Sequence, residues 1–253
     1  MRETETADVT AFVGAAGGAG TTRTGIEVGA ALAAGGREVA ILDAAFATQG
    51  LADYVGGRID PDLTRLLVDD ERDLSTGLRE VALPERVPGR VAVCPAHAPF
   101  ERLARAKRVE AARRFESLIE TAAARFDHVL LDVPPIAANQ AVAAVNAADR
   151  IAVVAPASDR GTEAIQRCHE RLADVGTGAS LVVSVRGELE TADVSVPGTE
   201  ATAVDAAPAC LGGDDAFARA IQRVAAAVTE EELAEPEAGG GGLLGSVGEL
   251  VGR

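Results

Sequence analysis

The chain has 253 residues, with 39 Asp or Glu against 24 Lys or Arg, a formal net charge of −15, 47% hydrophobic and 3% aromatic residues and no Trp. That length and apolar content suit a folded protein of one or two domains and exclude a disordered chain. No stretch approaches the roughly 18 uninterrupted apolar residues of a membrane span. Met1 to Asp8 is polar and acidic, without the apolar core of a signal peptide, so a cytoplasmic location is expected.

Lys107 is the only lysine among abundant acids and arginines. This pattern suggests adaptation to a salty cytoplasm, and so negative a surface disfavours binding to nucleic-acid phosphates. Cys94, Cys168 and Cys210 are scattered and contain no C-x-x-C pair, and His97, His128 and His169 share no metal-binding spacing. Neither a zinc site, an iron–sulfur cluster nor a disulfide framework is expected from them.

In chain order, Val9 to Val13 is an apolar run that enters the turn Gly14-Ala15-Ala16-Gly17-Gly18-Ala19-Gly20. Thr22 to Ala34 reads as a helix stopped by Gly35-Gly36, and Glu38 to Leu42 reads as a buried strand ending at Asp43. These segments form a β-α-β unit, which is right-handed and parallel. Further strands are expected at 90–94, 128–132, 151–155 and 181–185, with helices at 101–125, 138–146, 162–174 and 214–228. The alternation predicts an α/β fold, a mainly parallel sheet with helices on both faces. The last helix presents Phe217, Ile221, Val224 and Val228 on one face.

Within 101–125 lie Arg102, Arg105, Lys107, Arg108, Arg113 and Arg114. Glu101 with Arg105 and Glu110 with Arg114 are i, i+4 pairs, which favours a solvated, salt-bridged helix over a docking patch. Beyond Val228 the composition changes to three glutamates, a proline and the run Gly239 to Gly242. The chain therefore divides into a polar tail (1–7), a folded domain (8–228), an acidic Gly-rich linker (229–242) and a short amphipathic segment (243–253). Leu243, Leu244, Val247, Leu250 and Val251 share one helical face in that last segment.

A glycine-rich turn between strand and helix gathers backbone N–H groups and a helix N-terminus around one point, which suits phosphate. Thr22 opens the helix where a magnesium-ligating hydroxyl belongs. The apolar run Val129-Leu130-Leu131 ends in Asp132-Val133-Pro134-Pro135, an acid suitably placed to orient a magnesium-bound water. Pro134-Pro135 either shapes a ligand-responsive loop or simply ends the strand.

With these segments the chain resembles the ParA/MinD family of P-loop ATPases. The resemblance is carried by Ala16-Gly17-Gly18-Ala19-Gly20-Thr21-Thr22-Arg23, Asp43-Ala44-Ala45 and Asp132-Val133-Pro134-Pro135, and extends to Ala148-Asp149-Arg150-Ile151 and to Phe217-Ala218-Arg219-Ala220-Ile221. It implies a P-loop NTPase fold over about residues 8–228, with Gly17, Gly18, Ala19, Gly20, Thr21, Thr22 and Arg23 around a nucleotide. It further implies ATP and magnesium as ligands, the metal held by Thr22 and, through water, by Asp132. Asp43 and Asp132 are the candidates for catalysis.

The chain departs from that family's pattern where chemistry is done. Ala16 stands at the signature lysine, Thr21 at the P-loop lysine, Ala45 at the second acid of Asp-x-Asp, and Ser184 where many relatives have a base-recognising asparagine. Phosphoryl transfer depends on positioned charge, so hydrolysis is expected to be impaired or absent. Three readings stay open. The first is a nucleotide-binding protein of intracellular positioning or partitioning that acts through homodimerisation or a protein partner. The second is an active ATPase in which Arg23 replaces the P-loop lysine. The third is a scaffold that binds no nucleotide. The segment 243–253 reads first as a plain unfolded tail, with partner capture on its apolar stripe as the alternative. Membrane binding by it is disfavoured, because Arg253 is its one cation.

Overall fold

The computed structural model describes residues 7–68, 72–213 and 215–229. The expectations for the N-terminal tail up to residue 6, for Asp214, for the linker beyond Thr229 and for the segment 243–253 lie outside them.

Eight strands form one sheet: β1 (Asp8–Gly14), β2 (Glu38–Asp43), β3 (Arg79–Glu80), β4 (Arg90–Cys94), β5 (His128–Val133), β6 (Arg150–Pro156), β7 (Leu181–Val185) and β8 (Val194–Val196). Their order is β3-β4-β2-β5-β1-β6-β7-β8. Every pairing is parallel except that of β3 with β4. The helices are α1 (Thr21–Ala34), α2 (Leu63–Val68), α3 (Phe100–Ala106), α4 (Val109–Ala123), α5 (Asn139–Asn146), α6 (Asp159–Asp174) and α7 (Ala216–Thr229). This is the expected mainly parallel α/β architecture. Among the described residues no helix is long and apolar enough to cross a membrane.

Strand alternation divides the interior into two cores. Ala11, Val13, Ala40, Leu42, Val129 and Leu131 join Phe115, Leu118, Val145 and Leu172 on the face covered by α4, α5 and α6. Phe12, Val39, Ile41 and Leu130 join Ile26, Leu32, Ile221 and Val224 on the face covered by α1 and α7. The expected apolar face of α7 is present, since Phe217, Ile221, Val224 and Val228 are all buried.

The expected helix 101–125 is two helices. Steps of 3.6 residues from the buried Ala106 reach Glu110, Arg113 and Ser117, whereas the buried stripe of α4 is Ala111, Phe115, Leu118 and Ala122. The two stripes are about half a turn out of phase, so one straight helix cannot bury both. The backbone breaks with Arg108 extended at φ −74° and ψ 161°, and Asn139 Nδ2 donates to the freed Lys107 carbonyl at 3.0 Å. Arg102 is not part of a solvated face: it pairs with the buried Asp62 at 2.9 Å and donates to Thr64 Oγ1 at 2.9 Å.

The expectations omit β3, β8 and α2. All are short, and β3 and β8 are edge strands of two and three residues, below the length at which alternation registers.

The buried ring of Phe115 anchors α4, whereas Phe100 is 84% exposed at the start of α3. Phe115→Ala is expected to lower unfolding free energy by about 3–5 kcal/mol. Phe100→Ala should change it by less than about 0.5 kcal/mol. Urea unfolding of the two variants checks the contrast, and equal effects would contradict this packing.

Candidate functional site

The site lies at the C-terminal edge of the sheet, where the chain leaves β1 toward β2 on one side while β6, the neighbour on the other side, leads away to β7. Ligands of open α/β sheets bind at such switch points. The loop after β1 turns through left-handed glycines, Gly18 at φ 72° and Gly20 at φ 90°, and Gly20 caps α1. Gly17 and Gly18 are exposed at the top of the loop, and Ala19 is buried beneath it. A Cβ on Gly14 would meet Thr21 Oγ1 at 2.7 Å, so Thr21 points its hydroxyl back at the base of the loop.

Strand parity builds the acidic part. Asp43 continues the row Val39 and Ile41, and Asp132 continues the row of Leu130, so both carboxylates lie on the α1 face. They are register partners on adjacent strands, and both are buried. Thr22, in the first turn of α1, donates its hydroxyl to Asp132 Oδ2 at 2.6 Å. Asp43 accepts from the Ala45 amide at 2.8 Å and from the Ala96 amide at 3.1 Å.

Burial and then the neighbouring Asp132 push the Asp43 carboxyl up to about 8. Burial pushes Asp132 up to about 6 against the lowering effect of the Thr22 hydrogen bond. Thr22, Asp43 and Asp132 are all hard oxygen donors, the type that suits magnesium and not a soft metal. Among the described residues no group of three or more His, Cys, Asp or Glu is placed to hold a metal ion. The three cysteines are free and buried; burial raises all three thiols, Cys168 to about 11.

The structure brings together Gly17, Gly18, Ala19, Gly20, Thr21, Thr22, Asp43 and Asp132. The Arg23 guanidinium is turned away from the loop. Arg23 Nε pairs with the buried Glu27 at 2.6 Å, and its terminal nitrogens donate to the Ala203 carbonyl at 3.2 Å and the Ala201 carbonyl at 2.9 Å. Successive helical residues differ by about 100°, so Arg23 shares a stripe with Glu27 while Thr22 faces the carboxylates. Glu27 also accepts from the amides of Ala209 and Cys210, each at 2.9 Å, and so holds the segment around 201–210 against α1.

Two features were not anticipated. Beside Gly20 is a cavity of about 350 Å³ whose apolar wall includes Val185, Pro197, Phe217 and Ile221, with Arg23 and Glu27 also lining it. Arg186, the first residue past β7, donates from Nη2 to the Gly18 carbonyl at 3.0 Å. In a parallel sheet the loops after all strands share one edge, so a charged residue directly after a strand is the signal that points to Arg186.

A family model described as an AAA domain matches residues 7–179, more than half of the chain. The chain belongs to this family. No curated protein matches it at the level of sequence. Among solved structures it is similar to the septum site-determining protein MinD of Pyrococcus horikoshii OT3 complexed with Mg-ADP. That match has 18% identity, covers 87% of this chain and 94% of that one, and has a TM-score of 0.70. It is also similar to a chain of the MinC:MinD cell division protein complex of Aquifex aeolicus, at 20% identity, 91% and 98% coverage and a TM-score of 0.71. A McdA variant of Cyanothece in complex with ATP matches at 16% identity, 91% and 100% coverage and a TM-score of 0.71. This AAA-domain chain thus has the P-loop fold of the ParA/MinD ATPases.

The raised carboxyls of the AAA domain set a pH dependence. The unfolded chain ionises both aspartates near 3.8, whereas the folded, ligand-free protein holds their protons to about 6 and about 8. Their contribution is complete below about pH 4 and is lost as pH rises through those two values. Asp43→Asn should therefore gain stability relative to the parent between pH 5 and pH 8, read as the difference in melting temperature across the titration. A constant difference would mean that Asp43 does not carry the strain.

Proposed function

We propose that this protein binds ATP with magnesium at the glycine loop and acts in intracellular positioning or partitioning, with weak or absent hydrolysis. The observation that carries the reading is the 2.6 Å contact of the Thr22 hydroxyl with Asp132 at the mouth of the loop, with Asp43 alongside. A hydroxyl and two buried carboxylates, one of them raised by the other, call for a proton or a cation between them, and a metal-bound phosphate would supply the cation. Thr22 would hold the magnesium directly and Asp132 through water, and the ion would neutralise phosphate charge. Gly17, Gly18, Ala19, Gly20 and Thr21 would give their backbone N–H groups to the phosphates. The cavity beside Gly20 offers apolar walls for a base.

Weak hydrolysis follows from the side chains the loop carries. Ala16 and Thr21 bring no charge, and Arg23 is committed to Glu27 and two carbonyls. A hydrogen bond to a charged group is worth about 1.5–3 kcal/mol, and the charge that develops in phosphoryl transfer is left without such partners here. The positioning or partitioning role and the dimeric or partner-bound state draw on the relatives. One is named for septum-site determination and one is solved as the MinC:MinD cell division complex.

Mg-ATP at millimolar concentration is expected to raise the melting temperature in high salt, by mass action, while turnover stays near background. Asp132→Ala should abolish the shift. No shift with ATP, ADP or GTP would favour the scaffold reading. Turnover at the rate of active relatives, lost on Asp132→Ala, would overturn the claim of weak hydrolysis.

For the segment 243–253, partner capture on its apolar stripe is weighed against a plain tail, its shortage of cations speaking against a membrane. Deleting residues 239–253 should leave the melting temperature of the domain unchanged while altering the proteins that co-purify. Loss of the fold on deletion would place the segment in the core, and an unchanged set of partners would leave it a plain tail.

A further inference from the structure

Nucleotide phosphates brought into the glycine loop need positive charge, and the loop's own residues do not provide it. Between Gly14 and Arg23 the one charged side chain is Arg23, which is turned to Glu27 and to the carbonyls of Ala201 and Ala203. Arg186 lies 168 positions away from Gly18 in sequence and reaches its carbonyl at 3.0 Å. We propose that Arg186 is a ligand-binding residue of this site and supplies the cation for the nucleotide's phosphates.

The backbone is built to aim it. Arg186 sits at φ 64°, a left-handed conformation that disfavours residues bearing a side chain and that persists only where surrounding contacts enforce it. Those contacts are on either side of it. Ala157 N donates to the Val185 carbonyl at 3.0 Å, and Ser184 Oγ is 2.9 Å from both the Gly187 carbonyl and Ser195 Oγ. Gly187 follows at φ 149°, where a Cβ would come within 2.9 Å of Ala157 Cβ. Val185 itself lies against Gly20, 3.6 Å from where a Cβ would stand, so the end of β7 and the phosphate loop are direct neighbours. Ser184 thus serves as a positioning residue for the turn that presents the guanidinium.

The guanidinium is exposed, not buried in a structural pair. It carries five N–H donors in a planar fork, of which the Gly18 carbonyl takes one, and the others are available to phosphate oxygens. Contact with the loop backbone keeps the charge at its rim before any ligand arrives, which lowers the ordering cost of binding.

This assignment rests on the nucleotide reading of the loop, and the test separates the two. Mg-ATP is titrated calorimetrically into the full chain and into Arg186→Ala, Arg186→Gln and Arg186→Lys, with the ligand-free melting temperature of each as the check on folding. Loss of a charged hydrogen bond should weaken Mg-ATP by about 10- to 100-fold in the Ala and Gln variants. Lys, which keeps a point charge but loses the fork, should fall between the parent and the Gln variant. Gln keeps an amide donor for the Gly18 carbonyl without charge, so parental affinity in that variant would reduce Arg186 to a structural contact and overturn the proposal. Parental affinity in the Ala variant would overturn it as well, leaving the nucleotide reading intact. Failure of the parent chain to bind Mg-ATP would overturn both.

Discussion

Two carboxylates buried side by side on adjacent strands are an expensive arrangement. Asp43 and Asp132 are register partners, almost fully excluded from water, and Asp132 adds to the cost that burial sets on ionising Asp43. Their position is inseparable from the sheet itself, because parity along β2 and β5 turns both toward α1, and shifting either strand by one residue would send its carboxylate into the opposite core. The fold therefore fixes two acids and a hydroxyl at one spot, and the glycine loop must pass over that spot on its way from β1 to α1.

The helix that answers these acids does so with one stripe only. Thr22 faces Asp132, while the next stripe, Arg23 and Glu27, faces away and gathers the segment around 201–210. One helix thereby supports both the phosphate loop and the wall of the neighbouring cavity. The buried Glu27 takes Arg23 and two backbone amides, so its charge is fully partnered. This division of labour along α1 makes Arg23 part of the cavity's frame, although in sequence it directly follows the phosphate loop.

The six principal parallel strands were legible in the sequence because each is an apolar run bounded by glycine, proline or charge, and their parallel order follows from the helices between them. The residues of the loop, Thr22, Asp43 and Asp132 were legible for the same reason: each sits at a strand end or a helix start, where position determines environment. The break at Lys107 was not. The charged pairs around it continue a helical spacing, and only the phase of the buried residues, a property of what packs against them, marks the discontinuity. Edge strands of two or three residues are likewise held by the neighbour they pair with, and carry too little pattern of their own.

Arg23 and Arg186 illustrate the two limits. The direction of Arg23 follows from helix geometry alone, since a residue one step beyond Thr22 is rotated by about 100° and cannot face the same group. Arg186 required the fold. Its contact with Gly18 depends on β6 and β7 lying beside β1 in the sheet, on a hydroxyl at Ser184 closing the turn, and on Gly187 allowing that turn to approach Ala157. Sequence distance says nothing about such a contact, but sheet topology does. Every loop following a parallel strand opens on the same edge, so charge missing from the loop after β1 is most directly recovered from the loop after a nearby strand. By that argument the cation for a loop whose own residues bring none is sought along the sheet edge, not along the helix.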